Sequence, residues 1–335
     1  MTSRDQFLPG VHRALAPAKI NLGLFLGPVR ADDGKHELAS VMQSISLADE
    51  LTLELASASG RQDGGEQDEV ICPGVPGGAD QNLAAVALRA FRASTGWQAP
   101  PLRLGIVKRI PVAAGLGGGS ADAAATLRLA ARASGLGDHQ LLHELAAQLG
   151  ADVPAQISPG RWLASGAGEQ LHELPAPSSS FGVLVLPSEA QLSTAAVYRE
   201  ADRLGLGRTT RELVELQSQM RSAFAHGAPL PAAAELLHND LQRAAVSLCP
   251  AIADALAQVR DAGAEPSLVS GSGPTVLGLF AHAGRSVDGG FVLARAAASR
   301  LDGRVPAPIC AVPVDAVFAR AASDIPVRHN SSHIP

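Results

Sequence analysis

The sequence is short of aromatics, cysteine and lysine, and each shortage removes a class of function. Aromatic residues make up 3% of the 335, with a single tyrosine, too few for a stacking platform that would hold single-stranded nucleic acid. A net charge of −5 excludes the broad basic surface that tracks a phosphate backbone. Nucleic acid is therefore not an expected partner. The three cysteines, Cys72, Cys249 and Cys310, are odd in number, far apart and outside any zinc-ligand spacing. That excludes a disulfide framework and fits a reducing cytosol. No run approaches about 18 uninterrupted apolar residues, so no membrane span is expected. Residues 1–6 lack the apolar core of a secretory signal. What remains is ample core material, 46% hydrophobic against 18% charged, in a length that suits two domains. The expectation is a soluble, two-domain cytoplasmic protein, with no signal for its state of assembly.

The shortage of lysine is the most informative. Of 27 basic residues only Lys19, Lys35 and Lys108 are lysine. A compact ammonium with a tunable pKa does work that a guanidinium cannot, so these three positions are candidate site residues.

Along the chain, alternation of apolar and polar residues predicts strands at 13–26, 47–55 and 102–110, then near 161–165 and 182–187. Helical spacing predicts helices at 81–94 (capped by Asp80 or Asn82), 121–133 and 139–149, and later at 194–204, 210–225, 232–248, 252–262 and 290–301. A strand pair should flank Gly271-Ser272-Gly273, with a last strand near 310–318. Residues 60–68 read as an acidic, glycine-rich loop, and 324–335 as a disordered tail. The Pro/Ser-rich stretch 175–180 marks a boundary between domains at 10–174 and 181–320. Strands and helices intermix without regular βαβ alternation, which predicts α+β rather than a doubly wound sheet. His238-Asn239-Asp240 reads as capping of a following helix.

One segment fits neither regular element: Pro111-Val112-Ala113-Ala114-Gly115-Leu116-Gly117-Gly118-Gly119-Ser120-Ala121. Consecutive glycines at a helix start gather backbone N–H groups beside the positive end of the helix dipole, which makes an anion site. Ser120 should sit at or next to the N-cap, and Asp122 in the first turn should favour the dipole. A Walker A loop needs Gly-Lys-Ser/Thr, which is missing. A Rossmann loop needs G-x-G-x-x-G and a following strand that ends in an acid, whereas Ser120 stands at the third glycine position.

This run resembles the phosphate loop of the GHMP kinases. Pro17-Ala-Lys-Ile-Asn-Leu22, Leu149-Gly-Ala-Asp-Val-Pro154 and Val269-Ser-Gly-Ser-Gly-Pro-Thr275 resemble further motifs of that superfamily, in its order. Within it they are most similar to the members that phosphorylate 4-diphosphocytidyl-2-C-methyl-D-erythritol, an isoprenoid precursor of the methylerythritol phosphate pathway. The resemblance runs from about Ala14 to Phe318. It implies an N-terminal domain like ribosomal protein S5 domain 2, a ferredoxin-like C-terminal domain, and a cleft site for ATP and a small-molecule acceptor. It implies Lys19 and Asp152 as catalytic residues at the acceptor hydroxyl, with Lys108 and residues 111–121 on ATP. Mg²⁺ would arrive with ATP, with Ser120 as the nearest protein oxygen and no dedicated metal site. Asn21 would meet the methylerythritol moiety, His36 the cytosine, and Tyr198 the cytosine face, with Thr194 on the same helix face; core packing is the plainer reading of Tyr198. Where the family has an aromatic before His36, this chain has Lys35, whose stem can cover a ring or whose ammonium can meet a phosphate. Lys108 reads otherwise as a solvated strand end. The alternatives are another superfamily kinase, for homoserine or a mevalonate derivative, and a non-catalytic nucleotide-binding protein, which would need neither Lys19 nor Asp152.

Overall fold

A computed structural model describes residues 6–56, 67–75, 78–230, 234–281 and 288–320. The expected tail and most of the acidic loop lie outside these.

Two sheets organise the chain. The first has six strands. Strands β1 (His12–Val29) and β2 (His36–Leu55) form a long antiparallel pair. The order β3-β4-β2-β5-β6 is built with β3 (Glu69–Ile71), β4 (Leu102–Val107), β5 (Arg161–Ser165) and β6 (Gln170–Leu174). Helices α1 (Leu83–Thr95), α2 (Gly118–Ser134), α3 (His139–Leu149) and α4 (Val153–Ile157) belong to the same half. Their apolar faces bury Leu88, Phe91, Leu127 and Leu129 against Leu51, Leu53 and Leu104 of the sheet. The alanines of α2 let it lie close to α1 and β1, since a small residue keeps backbones near one another.

The second sheet has the order β10-β7-β9-β8, all antiparallel, from β7 (Gly182–Leu186), β8 (Ser267–Val269), β9 (Val276–Phe280) and β10 (Ile309–Ala311). Helices α5 (Thr194–Arg203), α6 (Thr210–Phe224), α7 (Gln242–Leu248) and α8 (Ala251–Asp261) fall between β7 and β8, and α9 (Gly289–Arg300) between β9 and β10. A βαββαβ chain order with strand order 4-1-3-2 is the ferredoxin-like arrangement, so the α+β expectation holds.

Several elements differ from the sequence reading. β2 starts at His36 rather than near residue 47, because its first half is buried on both faces and so shows no alternation. The helix expected over 232–248 is broken: a short 3₁₀ turn at Ala234–Leu236 and a bend through Asn239 precede α7. The last strand shrinks to Ile309–Ala311, since Pro313 cannot donate to a ladder. β3 and β6 carried too few apolar residues to stand out.

Candidate active site

The phosphate loop joins β4 to α2. The α2 N-cap is Gly117, at φ +68, with no side-chain cap, so the amides of the first helical turn face outward unsatisfied. Ser120 is therefore the third helical residue rather than the cap, and Asp122 lies beyond the first turn. A Cβ at Gly117 would meet Lys19 Cγ at 2.9 Å; the glycine leaves the passage through which the lysine stem runs.

Lys19 reaches the loop because β1 is irregular there. Its register with β2 shifts between Pro17 and Lys19, and again between Asn21 and Gly23; bulges of this kind re-aim side chains beside active sites. The freed Lys19 N–H donates to Leu116 O at 2.9 Å and pins β1 to the loop. Lys19 Nζ lies 3.3 Å from Asp152 Oδ2 and donates to Asn21 Oδ1 at 3.0 Å. Asn21 Nδ2 donates to Ser40 Oγ at 2.7 Å, and Ser40 to Gly23 O at 2.8 Å. Asp152 occupies the N-cap position of α4 but makes no capping bond, which leaves its carboxylate to Lys19.

The loop separates two cavities. A cavity of about 620 Å³ is lined by the loop, Lys108, Asp122, Cys72, Asn82 and Leu83. A second, of about 400 Å³, holds Lys19, Asn21, Asp152, Thr194, Tyr198 and Ser272. Gly115, Gly117 and Ser120 line both. The structure thus brings together Lys19, Asn21, Asp152, Thr194 and Tyr198 with the loop. Tyr198 packs against the core of the second half and also lines the smaller cavity; burial, with the Asp152 charge adding to it, pushes its phenol up to about 12. Thr194 Oγ1 is 3.0 Å from Ser272 Oγ in the third glycine motif.

His36 and Lys35 are placed differently. The His36 ring lies 5.5 Å from that of Tyr198, and its nitrogens face Gly27 O and Asp202 Oδ1, each at 3.0 Å. Lys35 is 69% exposed and turns to Asp33 at 3.8 Å. Neither lines the smaller cavity.

Lys108 is no solvated strand end. Its Nζ donates to Asp49 at 2.5 Å and to Asp122 at 2.7 Å, with both carboxylates nearly inaccessible. Asp49 also accepts from the Arg109 and Ile110 amides, fixing the turn that enters the loop. Burial pushes Asp122 up to about 7, with Asp49 adding to the rise and Lys108 opposing it.

Three supporting residues escaped the sequence reading. Asn239, read as a cap, does accept from the Leu241 amide, but its Nδ2 also donates to Val269 O at 2.8 Å and Gly271 O at 2.7 Å, holding the third glycine motif. Ser270 Oγ donates to Gly115 O at 3.0 Å and ties that motif to the phosphate loop. Arg128 of α2 donates to the carbonyls of Gln156 in α4 and Leu15 in β1, so one guanidinium joins the elements that carry the loop, Asp152 and Lys19. Asn239 had a visible signal, an Asn-Asp pair interrupting helical spacing, and Ser270 stands within the third glycine motif; Arg128 had none.

Comparison with known proteins agrees with this geometry. The GHMP kinases N terminal domain family matches residues 82–160, and the GHMP kinases C terminal family residues 220–287, so fold and loop define a GHMP kinase. Among curated relatives, 4-diphosphocytidyl-2-C-methyl-D-erythritol kinase of Streptomyces coelicolor is 42% identical, covering 81% of this chain and 88% of its own. That of Mycolicibacterium gilvum is 41% identical, covering 85% and 86%. A crystal structure of 4-(cytidine 5'-diphospho)-2C-methyl-D-erythritol kinase superposes with a TM-score of 0.68 at 32% identity, over 90% of this chain and 98% of that one. Homoserine kinase of Cytophaga hutchinsonii shares the fold alone, with a TM-score of 0.67 at 16% identity over 95% and 98%. The chain belongs to the 4-diphosphocytidyl-2-C-methyl-D-erythritol kinase family.

Proposed function

We propose that this protein transfers the γ-phosphoryl group of ATP to the 2-hydroxyl of 4-diphosphocytidyl-2-C-methyl-D-erythritol in the methylerythritol phosphate route to isopentenyl diphosphate, working in the cytoplasm. The observation that carries this reading is the Lys19–Asp152 pair at 3.3 Å, in a cavity whose wall is the phosphate loop. A pure nucleotide binder needs no such pair.

ATP fits the larger cavity, with its phosphates against the outward amides at the start of α2. The acceptor fits the smaller one, with its hydroxyl between Lys19 Nζ and Asp152. Asp152 orients the hydroxyl and takes its proton late, as the new O–P bond forms and the bond to ADP breaks. Lys19 holds its ammonium against the charge that develops on oxygen, and Asn21 fixes the direction of that ammonium. Mg²⁺ carried by ATP would neutralise charge on the phosphate oxygens. The loop suits such a cation: Ser120 lines both cavities, and Asp122 Oδ1 at the larger one is buried without a hydrogen-bond partner. On the substrate side, Tyr198 offers its ring to the cytosine with His36 behind it, and Lys35 leaves the opposite face uncovered by an aromatic.

The test is ADP release with Mg·ATP and, side by side, the cytidyl-diphosphate acceptor, homoserine and mevalonate. Turnover confined to the cytidyl acceptor is expected. Turnover confined to either other alcohol would keep the Lys19–Asp152 chemistry and discard the base pocket. ATP binding without any turnover would overturn the reading.

A further inference from the structure

Away from both cavities, two side chains on one surface helix are set out as a chelate. Helix α3 opens with His139 and carries His143 one turn on, a spacing that puts both rings on the same face. Their Nε2 atoms are 3.3 Å apart and their ring centroids 4.4 Å apart. Two imidazole nitrogens bound to one tetrahedral ion, each at about 2.0–2.1 Å, lie about 3.3–3.4 Å from each other. The Nε2–Nε2 separation, here bridged by a hydrogen bond between the rings, thus already matches that of a bidentate ligand, and an ion would take the place of the bridging proton. His139 Nε2 also lies 3.1 Å from Ser158 Oγ, the residue that ends α4. That hydroxyl stands where it can hydrogen-bond a water in a third coordination position.

We propose that His139 and His143 form a surface site for a borderline divalent transition ion of the Zn²⁺ type, with solvent completing its coordination. The donor set separates this site from the Mg²⁺ that accompanies ATP. Imidazole nitrogen suits Zn²⁺, Ni²⁺ and Cu²⁺, whereas Mg²⁺ takes oxygen. With two protein ligands the site is exchangeable rather than structural. Its position matters because α3 leads through Gly150 to Asp152, and Ser158 closes the short helix that follows. A bound ion therefore sits at one end of the segment that carries the Asp152 carboxylate, with Ser158 at its other end within reach of a coordinated water.

The experiment uses the full chain without an affinity tag. Co²⁺ is titrated by visible absorption, then displaced with Zn²⁺, at neutral pH and in the absence of nucleotide. One ion per chain is expected at this site. His139→Gln and His143→Gln should each weaken Zn²⁺ binding at least about tenfold, because a chelate loses its second, intramolecular contact. The thermal midpoint should rise with Zn²⁺ in the parent chain and not in either variant. His139 is exposed, so His139→Gln is the decisive change if His143→Gln disturbs packing. The sequence holds a second pair of this spacing, His329 and His333; the double change His329→Gln with His333→Gln should leave the affinity as it was. Binding that survives His139→Gln, binding abolished by the 329/333 double change, or no Zn²⁺ binding at all would each overturn the proposal.

Discussion

At the scale of single residues, the proposed chemistry rests on two side chains from distant segments, each freed by a local irregularity. Lys19 is aimed by the bulges around it in β1, and Asp152 stands at a helix start without capping it. Asp152→Asn keeps the shape and removes the proton acceptor. The expected result is a fall in kcat of about 10²–10⁴, with the ATP dissociation constant nearly unchanged, since Asp152 lies in the acceptor cavity and not in the nucleotide cavity. Lys19→Met should also cost kcat, by about 10²–10³. It should weaken the acceptor KM as well, because Asn21 then loses the ammonium it orients. Equilibrium ATP binding and steady-state kinetics on both variants separate these outcomes; loss of ATP binding in Asp152→Asn would remove that residue from the proposed role.

At the scale of elements, the phosphate loop is held from both sides, and its glycines do different work. Gly115 sits at φ +73, and a Cβ there would come within 2.3 Å of Ser270 O. Gly119 meets nothing within 4 Å and lies inside α2. Gly115→Ala should therefore push the third glycine motif away and destabilise the protein by about 1–3 kcal/mol. Gly119→Ala should leave the thermal midpoint equal or raised, because alanine is the better helix former by about 1 kcal/mol. Any loss of ATP affinity in Gly119→Ala then reports the approach of phosphate to that surface rather than misfolding. Thermal melts with and without ATP decide both. This contrast also marks what was legible in the sequence. The loop and the helix after it could be read because each breaks or starts a local periodicity; Lys19 and Asp152 could be read because their motifs resemble those of the GHMP kinases, and Lys19 also because lysine is scarce in this chain. The long burial of β2, the Ser40 relay below Asn21, and the Asp49–Lys108–Asp122 cluster could not. Each of those depends on which strands lie side by side, and no spacing along one segment records that.

At the scale of the whole molecule, the smaller cavity is walled by residues of both halves, and residues 238–241 help fix those halves to each other. The Leu24 amide donates to His238 O, and the Asp240 amide to Leu24 O, at 2.8 and 2.9 Å. The Asp240 carboxylate accepts from the Leu26 amide at 2.9 Å and from both arms of Arg208 at 2.7 and 2.8 Å. At the opposite end, Ser46 and Val314 amides donate to Val312 O and Ser44 O, joining β2 to the chain after β10. One apolar cluster, including Ile20, Val41, Phe181 and Leu277, runs through both sheets. Burial alone would raise the Asp240 pKa, but its bonds from His238, Arg208 and Leu26 outweigh that and hold it below the ordinary 3.8. A carboxylate held low in the folded state stabilises it above the unfolded value, and that stabilisation is lost as pH falls through about 3.8 toward the folded pKa. Asp240→Asn should then cost stability at pH 7, by about 1–3 kcal/mol for a buried bonded charge replaced with an amide. The gap from the parent chain should close as the acid limb is descended. Denaturant unfolding of both proteins between pH 7 and pH 3 measures this. A gap that stays constant across that range would mean that Asp240 acts by shape alone and that its charge does not hold the sheets together.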